Sequence, residues 1–405
     1  MANLKTRINS FPSTSIPQYK IPCSRPTWAE IDLNAIAYNL NQVRKVIGPG
    51  VKILAAVKAN AYGHGMVMVA KELESLGVDL LGVACVDEAL QLKKAGVRCP
   101  ILIFSHILPD EARSVVAHGI ISTVSNMEVA RALNNVATKR HRARVHLKID
   151  TGMGRIGVWH EEALTFIKTI VMLKNIKVEG IYTHFPSADE RDKKFTMKQL
   201  SVFNNLLQSL ERKGIDIPYR HAANSMGIMG YKDSHFNMVR PGLMLYGMHS
   251  SDWGGRIINL KPALSLKSRI TFLKVVPPGR SISYGRTWTT KSETLIATIP
   301  IGYGDGYTRL LSNKAQVLLR GKRANIVGRV CMDQTMLDVG HVKGVKLGDE
   351  VTLIGRQGKD RISAEELASL CGTIPYEITC WISHRVRRVY KKVKKSCLFN
   401  RHMLL

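Results

Sequence analysis

Polar side chains follow the apolar, β-rich segments of the N-terminal part of the chain, at the points where those segments end. Lys58 follows Lys52–Val57, and His184 follows Val178–Tyr182. The other positions of this kind are Lys148, Asp150, Arg155, Asn224, Ser225, Arg240, Gly242 and Tyr246. A lysine, two arginines, a histidine and a small hydroxyl on one face would suit an anionic ligand that carries a carbonyl group.

Lys58 lies where an apolar segment ends, so its amine is expected to be partly desolvated. Desolvation lowers the pKa of a lysine and favours the neutral amine that forms a Schiff base. A lysine whose stem packs on apolar groups while its ammonium reaches solvent is the commoner arrangement. Spacing alone leaves both interpretations open.

The elements that would position these residues are apolar β-rich segments that alternate with helical ones such as Ala35–Ile47, Val86–Ala95 and Phe195–Arg212. The strand segments are Lys52–Val57, Leu80–Ala84, Ile101–Phe104, Ile121–Val124, Val145–Ile149, Val178–Tyr182, Tyr219–Ala223 and Met238–Tyr246. This alternation predicts an α/β fold with an N-terminal (β/α)8 TIM-type barrel, whose active site lies at the carboxyl ends of the strands. An open doubly wound sheet is disfavoured, because no glycine-rich phosphate fingerprint follows the first strand.

Shorter β-rich segments separated by Gly and Pro follow from about residue 255, and among them only Ala364–Leu370 has a helical pattern. They are Leu266–Val276, Thr294–Ile299, Ala315–Leu319, Asn325–Val330, Met336–Val339 and Val351–Ile354. This pattern predicts a mainly β C-terminal domain. We therefore expect a disordered leader (1–25), the barrel (26–255), the β-rich domain (256–395) and a tail (396–405), with the domain boundary in Ser250–Lys261.

The 405-residue chain has 59 Lys and Arg against 31 Asp and Glu, a net charge of +28. The excess is spread along the chain and is dense only at 385–395. This favours a generally basic globular protein with nonspecific, salt-sensitive affinity for nucleic acid over a dedicated nucleic-acid binder. Seven cysteines without a CxxC pair favour neither disulfides nor a metal site. No membrane span or secretory signal is evident, so we expect a cytoplasmic protein.

The strings around these positions resemble those of the alanine racemases, a fold-type III family of pyridoxal-phosphate (PLP) enzymes. In the first part they are WAEIDLNAI (28–36), VKANAYGHG (57–65), HLKIDTGMGRIG (146–157), YTHF (182–185), HAANS (221–225) and VRPGLMLYG (239–247). In the second part they are SYGR (283–286), IGYGDG (301–306), VCMDQ (330–334) and YE (376–377). The resemblance covers roughly residues 26–390 in order, and about ten such strings in sequence are highly specific.

The resemblance implies PLP-dependent, two-base interconversion of L-alanine and D-alanine, which supplies D-alanine for peptidoglycan. Lys58 would hold the cofactor as a Schiff base and act as one base. Tyr284, donated by the other subunit of a head-to-tail homodimer, would be the opposing base, with His184 as the hydrogen-bond partner that activates it. Arg240 would face the pyridine nitrogen and leave it unprotonated, because an arginine does not accept a proton.

The same resemblance assigns the binding residues. The phosphate would be held by Ser225, the backbone of Gly242 and Leu243, and the phenols of Tyr62 and Tyr376, with Asn224 beside them. Arg155 would lie beside the cofactor's phenolic oxygen and the substrate carboxylate. Cys331, Met332 and Asp333 would form a loop that enters the partner's site, with the Met332 N–H at the substrate carboxylate, and Tyr303 would gate the entrance. Lys148 matches a lysine that some members carry as a carbamate.

Three positions depart from the usual family strings. Pro186 follows Phe185 where alanine is usual, Gly304 stands where Gly-Tyr-Ala-Asp is usual, and Pro375 precedes Tyr376 where asparagine is common. They concern loop geometry and substrate size rather than the reacting groups. Two other functions stay open: a broader-specificity amino-acid racemase of the same fold, and a non-catalytic PLP-binding or nucleic-acid-binding protein. Tyr284 disfavours the latter, since a cofactor holder needs no second base.

Overall fold

The computed structural model describes residues 25–249 and 258–392. The strands are β1 (Thr27–Asp32), β2 (Lys52–Ala56), β3 (Leu80–Val83), β4 (Ile101–His106), β5 (Ile121–Val124), β6 (Ala143–Asp150), β7 (Val158–Trp159), β8 (Ile176–Tyr182), β9 (Tyr219–His221), β10 (Met238–Val239), β11 (Leu264–Arg269), β12 (Phe272–Val276), β13 (Ser281–Ile282), β14 (Trp288–Thr289), β15 (Thr294–Ile299), β16 (Gln316–Leu319), β17 (Lys322–Ile326), β18 (Thr335–Asp338), β19 (Glu350–Gln357), β20 (Asp360–Ile362) and β21 (Arg387–Lys391).

The helices are α1 (Leu33–Ile47), α2 (Met66–Ser75), α3 (Val86–Lys94), α4 (Ala112–Ala117), α5 (Met127–Val136), α6 (Ala163–Val171), α7 (Lys194–Glu211), α8 (Ser225–Gly230), α9 (Ala364–Cys371) and α10 (Pro375–Trp381). None of the helices in these two described ranges is long and apolar enough to cross a membrane. The expected leader, except Arg25, and the expected tail lie outside the described residues, as does most of the expected domain boundary.

Parallel strands form the N-terminal barrel in the order β10-β2-β3-β4-β5-β6-β8-β9. Beyond the ends of β9 and β10, the Arg240 N–H donates to the Ala223 carbonyl at 2.9 Å, which brings the two edge strands together. The predicted (β/α)8 barrel is confirmed. The first helix shows why the chain folds this way. Asp32 caps it by accepting hydrogen bonds from the Asn34 and Ala35 N–H groups.

The second sheet contains most strands of the C-terminal region in the order β12-β15-β18-β17-β16-β19-β11-β1-β21, with β20 paired to β19, while β13 and β14 form a separate pair. The predicted mainly β domain is confirmed. Its strand β1 comes from the start of the chain, from within the segment 26–255 that the sequence assigns to the barrel. This strand pairs antiparallel with β11 and parallel with β21. Its residues alternate between buried and half-buried, a pattern that suits a sheet with one covered face rather than a barrel strand.

The structure differs from the predicted elements at three places. The expected strand Met238–Tyr246 ends at Val239, because Pro241 lacks an N–H for the sheet, and a tight turn follows. The expected strand Leu266–Val276 is divided into β11 and β12. Helix α10, which contains Tyr376 and begins at Pro375, was not predicted, because only Ala364–Leu370 had a helical pattern in this region. Proline is well suited to that first helical position.

The two domains meet closely behind the carboxyl end of β2. A Cβ atom on Gly63 would lie 2.0 Å from the Thr379 carbonyl oxygen in α10, and one on Gly65 would lie 1.8 Å from the Tyr390 hydroxyl. The Arg388 guanidinium bridges the same contact, donating to the Gly63 carbonyl at 3.1 Å and the Ile382 carbonyl at 2.6 Å. The β domain therefore packs directly on the turn that follows β2.

The first prediction concerns this contact. Gly63→Ala should lower the free energy of unfolding by more than Gly372→Ala. Both glycines have a left-handed backbone conformation, but only a Cβ at position 63 would clash with the backbone of Thr379. The left-handed alanine alone costs about 1–2 kcal/mol, and overpacking should add about 1–3 kcal/mol. Urea unfolding followed by circular dichroism measures the difference. Equal losses in the two variants would show that the contact is unimportant.

Candidate active site

The turn that carries Lys58 has an unusual backbone. Lys58 opens the single helical turn Lys58–Tyr62, and the four residues from Ala59 to Tyr62 all have φ between 52° and 55°. This is a left-handed turn, which costs about 1–2 kcal/mol for each residue other than glycine. The Gly63 N–H closes it by donating to the Ala59 carbonyl at 3.0 Å. Strain of this kind persists only where surrounding contacts hold it.

Hydrogen bonds from neighbouring elements hold this turn. Glu88 in α3 accepts from the Ala59 N–H and from the Ala84 N–H, each at 2.7 Å. The Asn60 side chain accepts from the Met66 N–H at 2.8 Å and thereby joins the turn to α2. The His64 ring contacts two carbonyls of the turn, and burial lowers its pKa to about 4. The position of Lys58 is therefore well determined.

Lys58 lines two adjoining cavities at the carboxyl ends of the barrel strands. The predicted site residues that line them are Lys58, Tyr62, Arg155, His184, Asn224, Ser225, Arg240, Gly242, Leu243 and Tyr376. Burial lowers the pKa of Lys58, and the charge of Arg155 lowers it further. This increases the fraction of neutral, nucleophilic amine at Lys58.

Arg240 is buried and organises the base of the smaller cavity. Its guanidinium donates to the Thr183 and Ala222 carbonyls, both at 2.8 Å, and to Nδ1 of His221 at 2.9 Å. A longer contact of 3.3 Å reaches Nδ1 of His184. Burial lowers the pKa of Arg240 to about 10, so the group remains a cation near neutral pH.

Because arginine only donates hydrogen bonds, Nδ1 of His184 must be an acceptor, which places the proton of a neutral ring on Nε2. Burial, and then the charges of Lys148 and Arg240, hold the pKa of His184 well below its ordinary value. The same logic makes His221 a donor through Nε2 to Nδ1 of His146, 2.9 Å away. His184 is therefore a neutral ring with an N–H available to donate.

Lys148 is buried beside these groups, with its Nζ 4.3 Å from the centre of the Tyr182 ring. Burial lowers its pKa strongly, and the charges of Arg240 and Arg155 act in the same direction. The Tyr182 ring in turn stacks on His221, with centroids 4.7 Å apart. The strongly cationic neighbourhood thus disfavours the protonated form of Lys148.

The larger cavity contains a small polar cradle. The Ser225 hydroxyl accepts from the Gly242 N–H at 3.0 Å, and Asn224 caps the short helix α8 by accepting from the Gly227 N–H. A Cβ atom on Gly242 would lie only 2.7 Å from the Tyr62 hydroxyl. Glycine at 242 therefore lets the phenol approach the backbone, which forms a cradle of hydroxyl and backbone groups suited to an oxyanion.

The remaining predicted residues do not line these cavities. Tyr284, Tyr303 and Met332 lie in the β domain, with 70%, 44% and 53% of their surface exposed. The structure groups them with Cys331 and Asp333, because the Tyr303 N–H donates to the Cys331 carbonyl at 3.0 Å. The Ser283 hydroxyl likewise contacts the Cys331 sulfur at 3.4 Å. One chain thus holds two separate groups of predicted site residues.

Some residues that shape the site were not predicted. Glu88 gave no sequence signal, because its role depends on two backbone groups from different segments. His146 and His221 lie within strings quoted above, yet their pairing with each other and with Arg240 follows only from the barrel register.

Comparison with known proteins agrees with this architecture. A family model described as "Alanine racemase, N-terminal domain" matches residues 31–250, and one described as "Alanine racemase, C-terminal domain" matches residues 263–390. The alanine racemase of Halothermothrix orenii is 50% identical over 369 residues, covering 91% of this chain and 97% of the relative. That of Methanococcus maripaludis is 47% identical over 370 residues, covering 91% and 99%.

Solved structures match as well. The alanine racemase of Clostridium difficile 630 superposes with a TM-score of 0.87 at 41% identity, covering 91% of this chain and 97% of that one. The alanine racemase of Bacillus anthracis with bound L-Ala-P gives a TM-score of 0.87 at 40% identity, covering 92% and 96%. The similarity therefore extends over both domains.

The second prediction concerns Lys58. Arg155→Gln should raise the pKa of Lys58, because removing a nearby positive charge favours the protonated amine. Competitive acetylation of the ligand-free protein at several pH values, read by peptide mass spectrometry, gives the titration of each lysine. Arg113→Gln, an exposed substitution outside the two cavities, is the control. An unchanged or lowered Lys58 midpoint would contradict the electrostatic coupling.

Proposed function

The chain belongs to the alanine racemase family, and on that premise we propose that it interconverts L-alanine and D-alanine with pyridoxal 5'-phosphate held at Lys58. The observation that carries this proposal is the placement of Lys58. It is a desolvated amine on a rigid turn, between the Arg240 guanidinium and the Ser225–Gly242 cradle. This arrangement can hold an anionic aldehyde by both ends.

The residues present fit the cofactor. Members of this family are pyridoxal-phosphate enzymes, and the cradle of Ser225 and Gly242 suits a phosphate dianion. The backbone of Leu243 and the phenols of Tyr62 and Tyr376, which line the same cavity, would complete its coordination, with Asn224 beside them. Lys58 would bind the aldehyde carbon, and Arg240 would donate a hydrogen bond to the pyridine nitrogen. When bound, the cofactor withdraws electrons from the substrate's α-carbon and makes the α-proton acidic.

Racemisation requires proton transfer on both faces of the α-carbon. Lys58 would exchange the proton on one face, and its lowered pKa suits this role near neutrality. Tyr284 of the partner subunit would exchange the proton on the opposite face. The neutral His184 would donate its Nε2–H to that phenolic oxygen and stabilise the phenolate, which lowers the pKa of the phenol.

The substrate carboxylate would be held by the Arg155 guanidinium and by the Met332 N–H of the partner subunit, beside Cys331 and Asp333 of the same loop. Tyr303 of the partner subunit would line the entrance. Arg240 stays protonated and only donates, so it leaves the pyridine nitrogen without a proton. This moderates electron withdrawal and should limit side reactions such as transamination.

The proposed assembly is a head-to-tail homodimer in which each β domain completes the partner's site. One observation that supports it is that the Tyr284 group (Tyr284, Tyr303, Cys331, Met332 and Asp333) does not line the cavities of Lys58 in the same chain. A second is the high exposure of Tyr284. A cytoplasmic location, where the product would supply peptidoglycan synthesis, agrees with the free thiols at Cys85, Cys99, Cys331, Cys371 and Cys380. Nonspecific binding of nucleic acid at low salt remains an expectation from the +28 charge.

The third prediction tests the reaction and the shared site together. The wild-type protein with PLP should bring the circular dichroism of both L-alanine and D-alanine to zero. Lys58→Ala should abolish activity and the visible absorbance of bound cofactor. Tyr284→Phe should keep the absorbance and lose about 10²–10⁴-fold in kcat, the usual contribution of an acid/base group.

Co-expression of these two inactive variants with different tags gives a heterodimer after tandem purification. If Tyr284 acts across the interface, one of the two sites regains both bases, so the heterodimer should recover about half of the wild-type activity. A heterodimer without activity would show that Tyr284 serves its own chain. Comparison of kcat/KM for alanine, serine and lysine with the wild-type enzyme separates an alanine racemase from one of broader specificity.

The fourth prediction concerns Lys148. A neutral buried amine can add to CO2 and release a proton, and the resulting carbamate anion would relieve the repulsion among Lys148, Arg155 and Arg240. Incubation with carbon-13 bicarbonate should give a carbamate carbon resonance that is absent from Lys148→Gln. Crystallographic density that ends at a bare Lys148 amine would count against the modification.

A further inference from the structure

An ion-pair network lies behind the loops that carry Tyr303 and Met332. The Asp305 carboxylate is fully buried and accepts from the Gly302 N–H at 2.9 Å. It pairs with Arg25 and, at 3.5 Å, with Arg385. A buried carboxylate is stable only when it is paired and hydrogen-bonded, so these arginines are needed where they lie.

Arg385 also reaches the second loop. Its Nη2 donates to the Asp333 carboxylate at 2.6 Å, and Arg25 donates to the Asp333 carbonyl at 2.7 Å. One guanidinium therefore joins a carboxylate from the 302–306 turn to a carboxylate from the 331–333 loop. These two segments carry Tyr303 and Met332.

The two loops also contact each other through their backbones. The Tyr303 N–H donates to the Cys331 carbonyl at 3.0 Å, and the Gly304 N–H donates to the Met332 carbonyl at 2.9 Å. These bonds set the distance between Tyr303 and Met332. The Ser383 N–H and hydroxyl donate to the Asp305 and Gly304 carbonyls at 3.0 Å and 3.1 Å and hold the 302–306 turn near the end of α10. The ion pairs of Arg385 add a contact from the same segment that also reaches the 331–333 loop, since Arg385 lies between α10 and strand β21.

Gly304 provides the space for this arrangement. A Cβ atom at position 304 would lie 2.4 Å from Nη1 of Arg385, and 3.1 Å from the Met332 carbonyl oxygen. The first distance is far below van der Waals contact, so any larger residue would displace the guanidinium. The glycine that departs from the usual family string is therefore matched to the position of Arg385.

We propose that Arg385 is a positioning residue that fixes the Tyr303 and Met332 loops for the partner's substrate site, and that Gly304 is required to admit its guanidinium. This inference rests on the proposed function of the two loops. Arg385 touches neither substrate nor cofactor in this scheme and acts through Asp305 and Asp333. Its loss should affect substrate binding more than proton transfer, since Tyr284 and Lys58 lie on other segments.

The test uses the PLP-loaded dimer and five variants: Arg385→Gln, Arg385→Lys, Gly304→Ala, the double variant Gly304→Ala/Arg385→Gln, and the control Arg356→Gln. Arg356 is exposed on strand β19 of the same sheet. Cofactor absorbance and gel filtration establish that each variant is loaded and dimeric. Hydrogen exchange by mass spectrometry then reports the amides of 302–306 and 331–334, and circular dichroism reports KM and kcat for L-alanine.

We expect Arg385→Gln to speed exchange in both segments and to lower kcat/KM roughly 10–100-fold through KM, as small displacements of binding groups do. Arg385→Lys should change hydrogen exchange and KM less than Arg385→Gln does, because a lysine keeps one ion pair. Gly304→Ala alone should change hydrogen exchange and KM as Arg385→Gln does. In the double variant it should cause no further change, since the guanidinium that it would displace is already absent.

The proposal would be overturned if hydrogen exchange and KM of Arg385→Gln matched those of the Arg356→Gln control. It would also be overturned if Gly304→Ala had its full effect in the Arg385→Gln background. Faster exchange with unchanged KM would show that the loops are fixed by Arg385 but do not serve the substrate, and would also overturn it. Racemisation by the wild-type enzyme tests the proposed function separately, and the exchange measurement stays informative whether or not that reaction occurs.

Discussion

The left-handed turn after β2 is the constraint on which the rest of the site depends. Four consecutive residues with positive φ are unfavourable, so the turn needs support from its surroundings. It is held by Glu88 from the barrel and by the close packing of α10 against Gly63. The β domain is therefore part of the support for Lys58, and the two domains cannot be treated as independent modules.

Positive charge and burial together explain the chemistry of this site. Lys58, Lys148, Arg155 and Arg240 line one cavity, and no carboxylate lies among the residues that line it. Burial makes protonation of these groups less favourable, and each added cation does so further. The two lysines therefore have lowered pKa values, and the histidine beside them is neutral. A cavity of this kind favours an anionic ligand, because the ligand's own charges relieve the repulsion.

The sequence was sufficient for the barrel and for the place of Lys58, because parallel strands end at one face and the apolar segments are long. It was insufficient where the determining contact is distant in the chain. Strand β1 was not among the predicted strands, and its pairing with β11 and β21 places it in the second sheet. The left-handed turn could not be predicted, because none of the residues from Ala59 to Tyr62 is a glycine, the residue that usually indicates positive φ. Pro375, by contrast, stands at the first position of α10, a position to which proline is well suited. A role for the Tyr284 group was inferred only from the family resemblance, because nothing in the sequence spacing links Tyr284 to Lys58.

The position of β1 links folding to assembly. This strand lies between β11 and β21, so the β sheet incorporates the start and the end of the described chain. Such non-local pairing cannot form until β21 has been synthesised, and contacts of this kind slow folding. The barrel strands and helices are contiguous and have no such restriction. We infer that the barrel forms first and that closure of the sheet brings α10 onto the turn of Lys58. The turn of Lys58 and the surface that carries Tyr284 would then become ordered in the same step, so a subunit able to form the proposed dimer would also have its own Lys58 in place.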